Sequence, residues 1–164
     1  MSTSKNIMLE FYQEPDQELY SILTRDIRVM RYITERVESQ REAAENFNKI
    51  LAYNATYHDQ TGYYKVFDQK NYIGFAKLSW DQDKKIEIGY MLLPEYWGQG
   101  YANQIIATLL DIIKHSKALS QAKVYAIIDP NNGASKHLLK KYYFVSVWQG
   151  IEDGLPSEHL VLQS

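Results

Sequence analysis

The run IEIGYMLLPEYWGQGYA, Ile86 to Ala102, changes character twice within seventeen residues. Its first part, with Lys85, alternates apolar and other side chains through Ile86, Glu87 and Ile88 to Leu93, and this period of two predicts a strand over Lys85 to Leu93. Pro94 stops it. Gly98 and Gly100 then punctuate a turn, and from Tyr101 to His115 the residues Ile105, Ile106, Leu109, Leu110, Ile112 and Ile113 form a wide apolar stripe at helical spacing.

Strand, glycine turn, helix is an order suited to binding phosphate. Gly98 and Gly100 open backbone conformations closed to other residues, and Ala102 adds little bulk. Successive N–H groups can therefore point at an anion over the helix start, where a pyrophosphate fits. The turn lacks both G-x-G-x-x-G and the G-K-[ST] ending, so neither a dinucleotide fold nor a P-loop is indicated.

Outward from this segment the pattern continues on both sides. Ile7 to Tyr12 reads as a first strand and Asp16 to Ile27 as a helix. Arg28 to Tyr57 reads as one or two amphipathic helices. Gly62 to Phe67 and Tyr72 to Trp80 are predicted strands that join Lys85 to Leu93 in an antiparallel meander. Downstream, Ala122 to Ile128 is a buried strand closing a β-α-β crossover. Asn132 to Lys141 is a short helix, Tyr143 to Trp148 a strand, and Glu158 to Leu162 a last strand after a Gly150 to Pro156 loop. The expected fold is α+β, a mixed and mostly antiparallel central sheet flanked by helices, with residues 1–164 as a single domain.

Composition removes several functions. The chain has 164 residues, a formal net charge of -2 and no cysteine. Interspersed charges give no basic face for nucleic acid. Without cysteine there is neither a thiolate nucleophile nor a Cys-based zinc site, and the four histidines show no i, i+4 pair, so no metal is expected. The polar start, Met1 to Asn6, lacks a signal-peptide core, and no run approaches a membrane span. A cytoplasmic protein is expected.

A second motif is Asp129-Pro130-Asn131-Asn132-Gly133-Ala134-Ser135, which opens the helix to Lys141. Asn132 can cap that helix, and Ser135 follows one turn later on the same side.

Together the two motifs resemble the acetyl-CoA-binding core of the GNAT acetyltransferase superfamily, and within it the branch similar to Rim-type ribosomal-protein N-acetyltransferases. That branch shares an acidic residue, Gly and an aromatic, then Pro and a Trp-Gly-x-Gly-Tyr-Ala turn. The resemblance implies acetyl-CoA as co-substrate. Backbone groups of Met91, Leu92 and Leu93 would pair with the pantetheine arm, while Gly98, Gln99, Gly100, Tyr101 and Ala102 would cradle the pyrophosphate. Trp97 stands where many members carry Gln or Arg, so backbone donors must hold the phosphates. Asn132 would cap the helix and offer its amide to the pantetheine.

Many members also carry a tyrosine seven positions after this Asn; here that residue is Leu139, which leaves Ser135 or water to protonate the departing thiolate. Glu87 is the expected base, acting directly or through a water, with the oxyanion held by a strand N–H of Met91 or Leu92. With no cysteine, direct transfer in a ternary complex is the simpler course.

The acceptor is expected to be a primary amine, either a protein N-terminus or a small molecule such as a polyamine, an amino acid or an aminoglycoside. It should border the Arg28 to Glu38 helices and the Trp148 to Glu158 loop. Arg28, Arg31, Tyr32, Arg36, Trp148, Glu152 and Asp153 lie there. Likeness of fold does not choose among acceptors. A homodimer follows from family likeness alone. The alternative is an acyl-CoA-binding sensor that kept the turn and lost turnover; the missing tyrosine supports it, and the retained Glu87 and Ser135 oppose it.

Overall fold

A computed structural model describes residues 6–163. Residues 1–5, most of the polar N-terminal stretch, and residue 164 lie outside the description. The chain begins with β1 (Ile7–Phe11), a 3-10 turn (Glu14–Asp16), α1 (Gln17–Thr24), α2 (Ile27–Met30) and α3 (Gln40–Thr56). The meander β2 (Gly62–Asp68), β3 (Asn71–Trp80) and β4 (Ile86–Leu92) follows. After it come α4 (Tyr101–Lys114), β5 (Val124–Ile128), α5 (Gly133–Lys141), β6 (Phe144–Glu152) and β7 (Leu155–Leu162).

One seven-stranded sheet runs in the order β1-β2-β3-β4-β5-β7-β6. Every pairing is antiparallel except β4 with β5, which the α4 crossover makes parallel. That parallel pairing spans only Ile86 with Val124 and Glu87 with Tyr125, so the two strands separate beyond Glu87.

Alternation along the strands sorts side chains to two faces. Ile86, Ile88 and Leu92 pack with Ile105, Ile106 and Leu109 of α4 and Leu139 of α5. Phe75 of β3 packs on the other face with Tyr20, Leu23 and Phe47 of α1 and α3, beside half-buried Met91. The helices fold locally as their ends dictate. Ser39 caps α3 by accepting the Glu42 N–H at 3.1 Å, and Glu42 returns a bond from the Ser39 N–H at 3.0 Å, closing a capping box.

Three elements differ from the sequence expectations. The helix expected over Asp16 to Ile27 stops at Thr24, because Asp26 caps the next one by accepting the Arg28 N–H at 2.9 Å. Between Met30 and Ser39 the chain turns rather than continuing as a helix; Glu35 takes φ 66°, and Glu38 is tied back to Thr24 O and to the Tyr20 hydroxyl. The Gly150 to Pro156 loop is instead the tip of a tight β6–β7 hairpin. Asp153 and Gly154 at φ 51° and 78° form its two-residue turn. Among the described residues no helix is long and apolar enough to cross a membrane.

Candidate active site

The separation of β4 from β5 leaves one side of β4 without a strand partner after Glu87, and backbone parity decides which groups face the opening. Leu93 donates to Ile73 O of β3 at 2.9 Å, whereas Ile86 donates to Lys123 O on the β5 side at 2.8 Å. In an antiparallel ladder these directions alternate, so Glu87, Gly89, Met91 and Leu93 turn their backbone groups to β3. Ile88, Tyr90 and Leu92 turn theirs to the opening. The N–H expected from Met91 therefore belongs to the β3 ladder, and those of Tyr90 and Leu92 face the gap. The Leu92 carbonyl on that side accepts the Trp97 indole N–H at 2.9 Å, which folds Trp97 back against the strand.

A cleft of about 270 Å³ occupies the opening. Glu87 and Met91 reach it from the α1–α3 face, and Asn132, Ser135 and Leu139 from the α4–α5 face, so the cleft passes through the sheet. Leu92 and Leu93 do not line it; their side chains pack against the two opposite faces.

Glu87 is half-buried and paired with Lys77 Nζ at 2.8 Å. Lys77 lies across β3 opposite Gly89, one pleat from Glu87 on the same face. Ser135 is buried in the first turn of α5, where the Asn132 side chain accepts its N–H at 3.2 Å. Its Oγ meets the Tyr90 hydroxyl at 2.8 Å. Burial raises the Tyr90 pKa above its ordinary value, so this phenol stays protonated at neutral pH. Asp129, also on the cleft, accepts the Asn131 N–H at 2.8 Å. Lys77 lies outside both sequence motifs, and Tyr90 and Asp129 lie within them without a role assigned to either. The Tyr90 position was readable from its parity with Ile86 and Ile88, but not its meeting with a residue 45 positions later.

The glycine turn lies beyond the end of β4, outside the cleft lining. Gly98 and Gly100 take φ +70° and +89°, and a Cβ on either would meet nothing within 4 Å. The turn needs glycine for its backbone sign, and space is open above it. Gly100 is the N-cap of α4, whose first turn presents N–H groups without intrahelical acceptors. Gln99 donates its amide to Glu95 O at 2.8 Å, bracing the turn from within. The Tyr101 hydroxyl donates to Asp68, pinning the helix start to β2.

Of the residues expected to flank the acceptor, Tyr32 lines the cleft. Arg28 and Arg36 are engaged with Asp26 and Glu42, and Arg31 lies over the Tyr32 ring. Trp148 packs edge-on to His159, which pairs with Glu152 at 2.6 Å, while Asp153 belongs to the hairpin turn. Tyr142 bonds to Asn103 of α4 and Tyr143 points to solvent, so neither replaces the tyrosine absent at Leu139.

Comparison with known proteins points the same way as this geometry. The family described as Acetyltransferase (GNAT) domain matches residues 6–145. The uncharacterized N-acetyltransferase YoaA of Bacillus subtilis (strain 168) is 24% identical over 150 residues, covering 88% of this chain and 81% of that one. Spermidine N-acetyltransferase from Vibrio cholerae, solved with CoA and spermine, superposes with a TM-score of 0.75 at 24% identity, over 95% of this chain and 94% of its own. A GNAT-family acetyltransferase from Bacillus anthracis gives 0.73 at 18% identity, over 97% and 94%. These structures establish the fold.

Proposed function

The chain belongs to the GNAT acetyltransferase family, as an acetyl-CoA-dependent N-acetyltransferase, and we propose that Glu87 serves it as base and Ser135 as acid toward a primary amine. The observation that carries the proposal is the cleft through the sheet, which has Glu87 on one face and the Ser135–Tyr90 pair on the other.

Two features suit the co-substrate. The unpaired side of β4 offers the groups of Tyr90 and Leu92 to an extended amide-bearing arm, as an added strand would use them. The open glycine cradle at the start of α4 suits a pyrophosphate. Asn132 stands at the head of α5 on the same cleft. In the transfer the amine nitrogen bonds to the thioester carbon, the carbon–sulfur bond breaks, and an amide and the free thiol result. Glu87 takes the ammonium proton, directly or through a water, by exchanging its Lys77 partner for the incoming amine. The N–H of Tyr90 or Leu92 holds the developing oxyanion. As the adduct collapses, Ser135 or water gives the thiolate its proton and regains one from the surplus proton leaving the amide nitrogen. The one net proton released is that on Glu87, and Tyr90 orients the serine hydroxyl.

The Rim-like turn of Trp97 to Ala102 and the leucine at 139 favour an acceptor of the protein N-terminus kind within this reading, with residues 1–164 as one catalytic unit. Pairing of two copies would use β6, which ends the sheet and exposes Val147 and Ile151. Thiol release on mixing the protein with acetyl-CoA and a panel of amines, with the product weighed by mass spectrometry, tests the proposal. Release that requires one amine class supports it. Bound acetyl-CoA without release on any amine removes the roles given to Glu87 and Ser135.

A further inference from the structure

The carboxylate and ammonium side chains lining the cleft are Lys77, Glu87 and Asp129, beside the phenols of Tyr32 and Tyr90. Lys77 and Glu87 are joined at 2.8 Å, so the three carry one net negative charge at neutral pH, the complement of a single ammonium. The Lys77 ammonium stands beside Glu87, where a second cationic centre of an acceptor would be repelled.

The walls are apolar. Tyr32 and Ile33 form one side, each more than a third exposed, and Ile127 lines the other at 39% exposure. Ile127 lies directly across from His159, and His159 directly across from Trp148, so the three share one face and run sideways from the cleft. The carboxylate of Glu152 beside that strip is already held by His159 at 2.6 Å.

We propose that the acceptor is a singly charged amine on an apolar body, and that polyamines are poor acceptors. This rests on the acetyltransferase reading and narrows it. The amine enters beside Glu87 while its carbon skeleton lies between Ile33 and the Ile127–Trp148 strip. An apolar peptide N-terminus and a free arylalkylamine share this chemistry.

The test uses the full chain. Acetyl-CoA affinity is measured first by calorimetry, then kcat/KM for 2-phenylethylamine, for a short peptide with N-terminal leucine, and for spermidine. At least one apolar amine should exceed spermidine by tenfold or more, and whichever wins names the source. Ile33→Asp, at an exposed position, should shift the ratio toward spermidine by about tenfold. Trp148→Ala should raise KM for the apolar amine severalfold with kcat unchanged. Spermidine used as well as both apolar amines, or KM unmoved in both variants, overturns the inference and leaves the acetyltransferase reading intact. Absence of acetyl-CoA binding takes down both.

Discussion

Replacing Glu87 by Gln keeps the size and the hydrogen-bond acceptor but removes the charge, which separates its two proposed roles. For stability, the Glu87–Lys77 pair is about one quarter exposed on each side chain. A pair of that kind lies between a surface ion pair and a buried one, and with the acceptor atom retained the loss should be about 1–2 kcal/mol. In a chain of this length that lowers Tm by roughly 2–8 °C.

For activity, an alkylamine with pKa about 10.4 is only about one part in a thousand neutral at pH 7.4, whereas an α-amine with pKa about 8 is roughly one fifth neutral. Loss of the base should therefore lower kcat/KM by about 10²–10³ for an alkylamine and by about tenfold for a peptide N-terminus. The variant should recover as pH rises from 7 to 9, by roughly tenfold per unit with the alkylamine, since solvent then supplies the neutral amine. Steady-state thiol release across that range is the assay, with acetyl-CoA affinity measured alongside. A kcat/KM within twofold of the parent at pH 7 would refute the assignment of Glu87 as base.

Ser135→Ala should lower kcat by about tenfold with acetyl-CoA affinity within twofold, and Tyr90→Phe should act in the same direction by less, in single-turnover thiol release. Tyr143 holds φ 70° and is 76% exposed, so Tyr143→Gly should relieve a left-handed strain of about 1 kcal/mol with little loss of buried area, raising the urea midpoint. Arg36, and after it the Ser39 backbone, hold the Glu42 pKa down to about 2 from 4.5. A depressed carboxylate stabilises above its unfolded pKa, and that stability is lost as pH falls through the folded one. Glu42→Gln should therefore remove part of the acid dependence of Tm between about pH 4.5 and 2.

Much of the fold was legible because periodicity reports which face a residue takes. The change from period two over Ile86 to Leu92 to helical spacing after Gly100 located β4, the turn and α4 with only end effects. The β6–β7 hairpin was missed although Asp153-Gly154 is a strong two-residue turn signal. Gly150 and Pro156 on either side resemble loop punctuation, yet both pair within the ladder. The stretch after α2 misled in the opposite way. Its apolar spacing suits a helix, but Asp26 caps early and Glu38 ties the segment to Thr24 and Tyr20.

At the site, the local motifs were readable and the long-range contacts were not. Gly98, Gly100 and the Asn132 cap follow from local chain chemistry, and they stand where the pattern put them. The Lys77–Glu87 pair depends on how β3 registers against β4, and Tyr90 meets Ser135 only once α5 packs beneath the sheet. The choice of strand N–H needed the direction of the Leu93–Ile73 bond, which no spacing encodes.

The central claim is that the Gly98–Gly100 turn and the open side of β4 bind acetyl-CoA. Calorimetric titration of the parent chain and of Gly100→Val with acetyl-CoA tests it most directly. Valine at φ +89° strains the backbone by about 1–2 kcal/mol and fills the open space above the turn. The account predicts one acetyl-CoA per chain for the parent and at least tenfold weaker binding for a variant that still unfolds cooperatively. Absence of binding to the parent, or equal affinity in the folded variant, would contradict it.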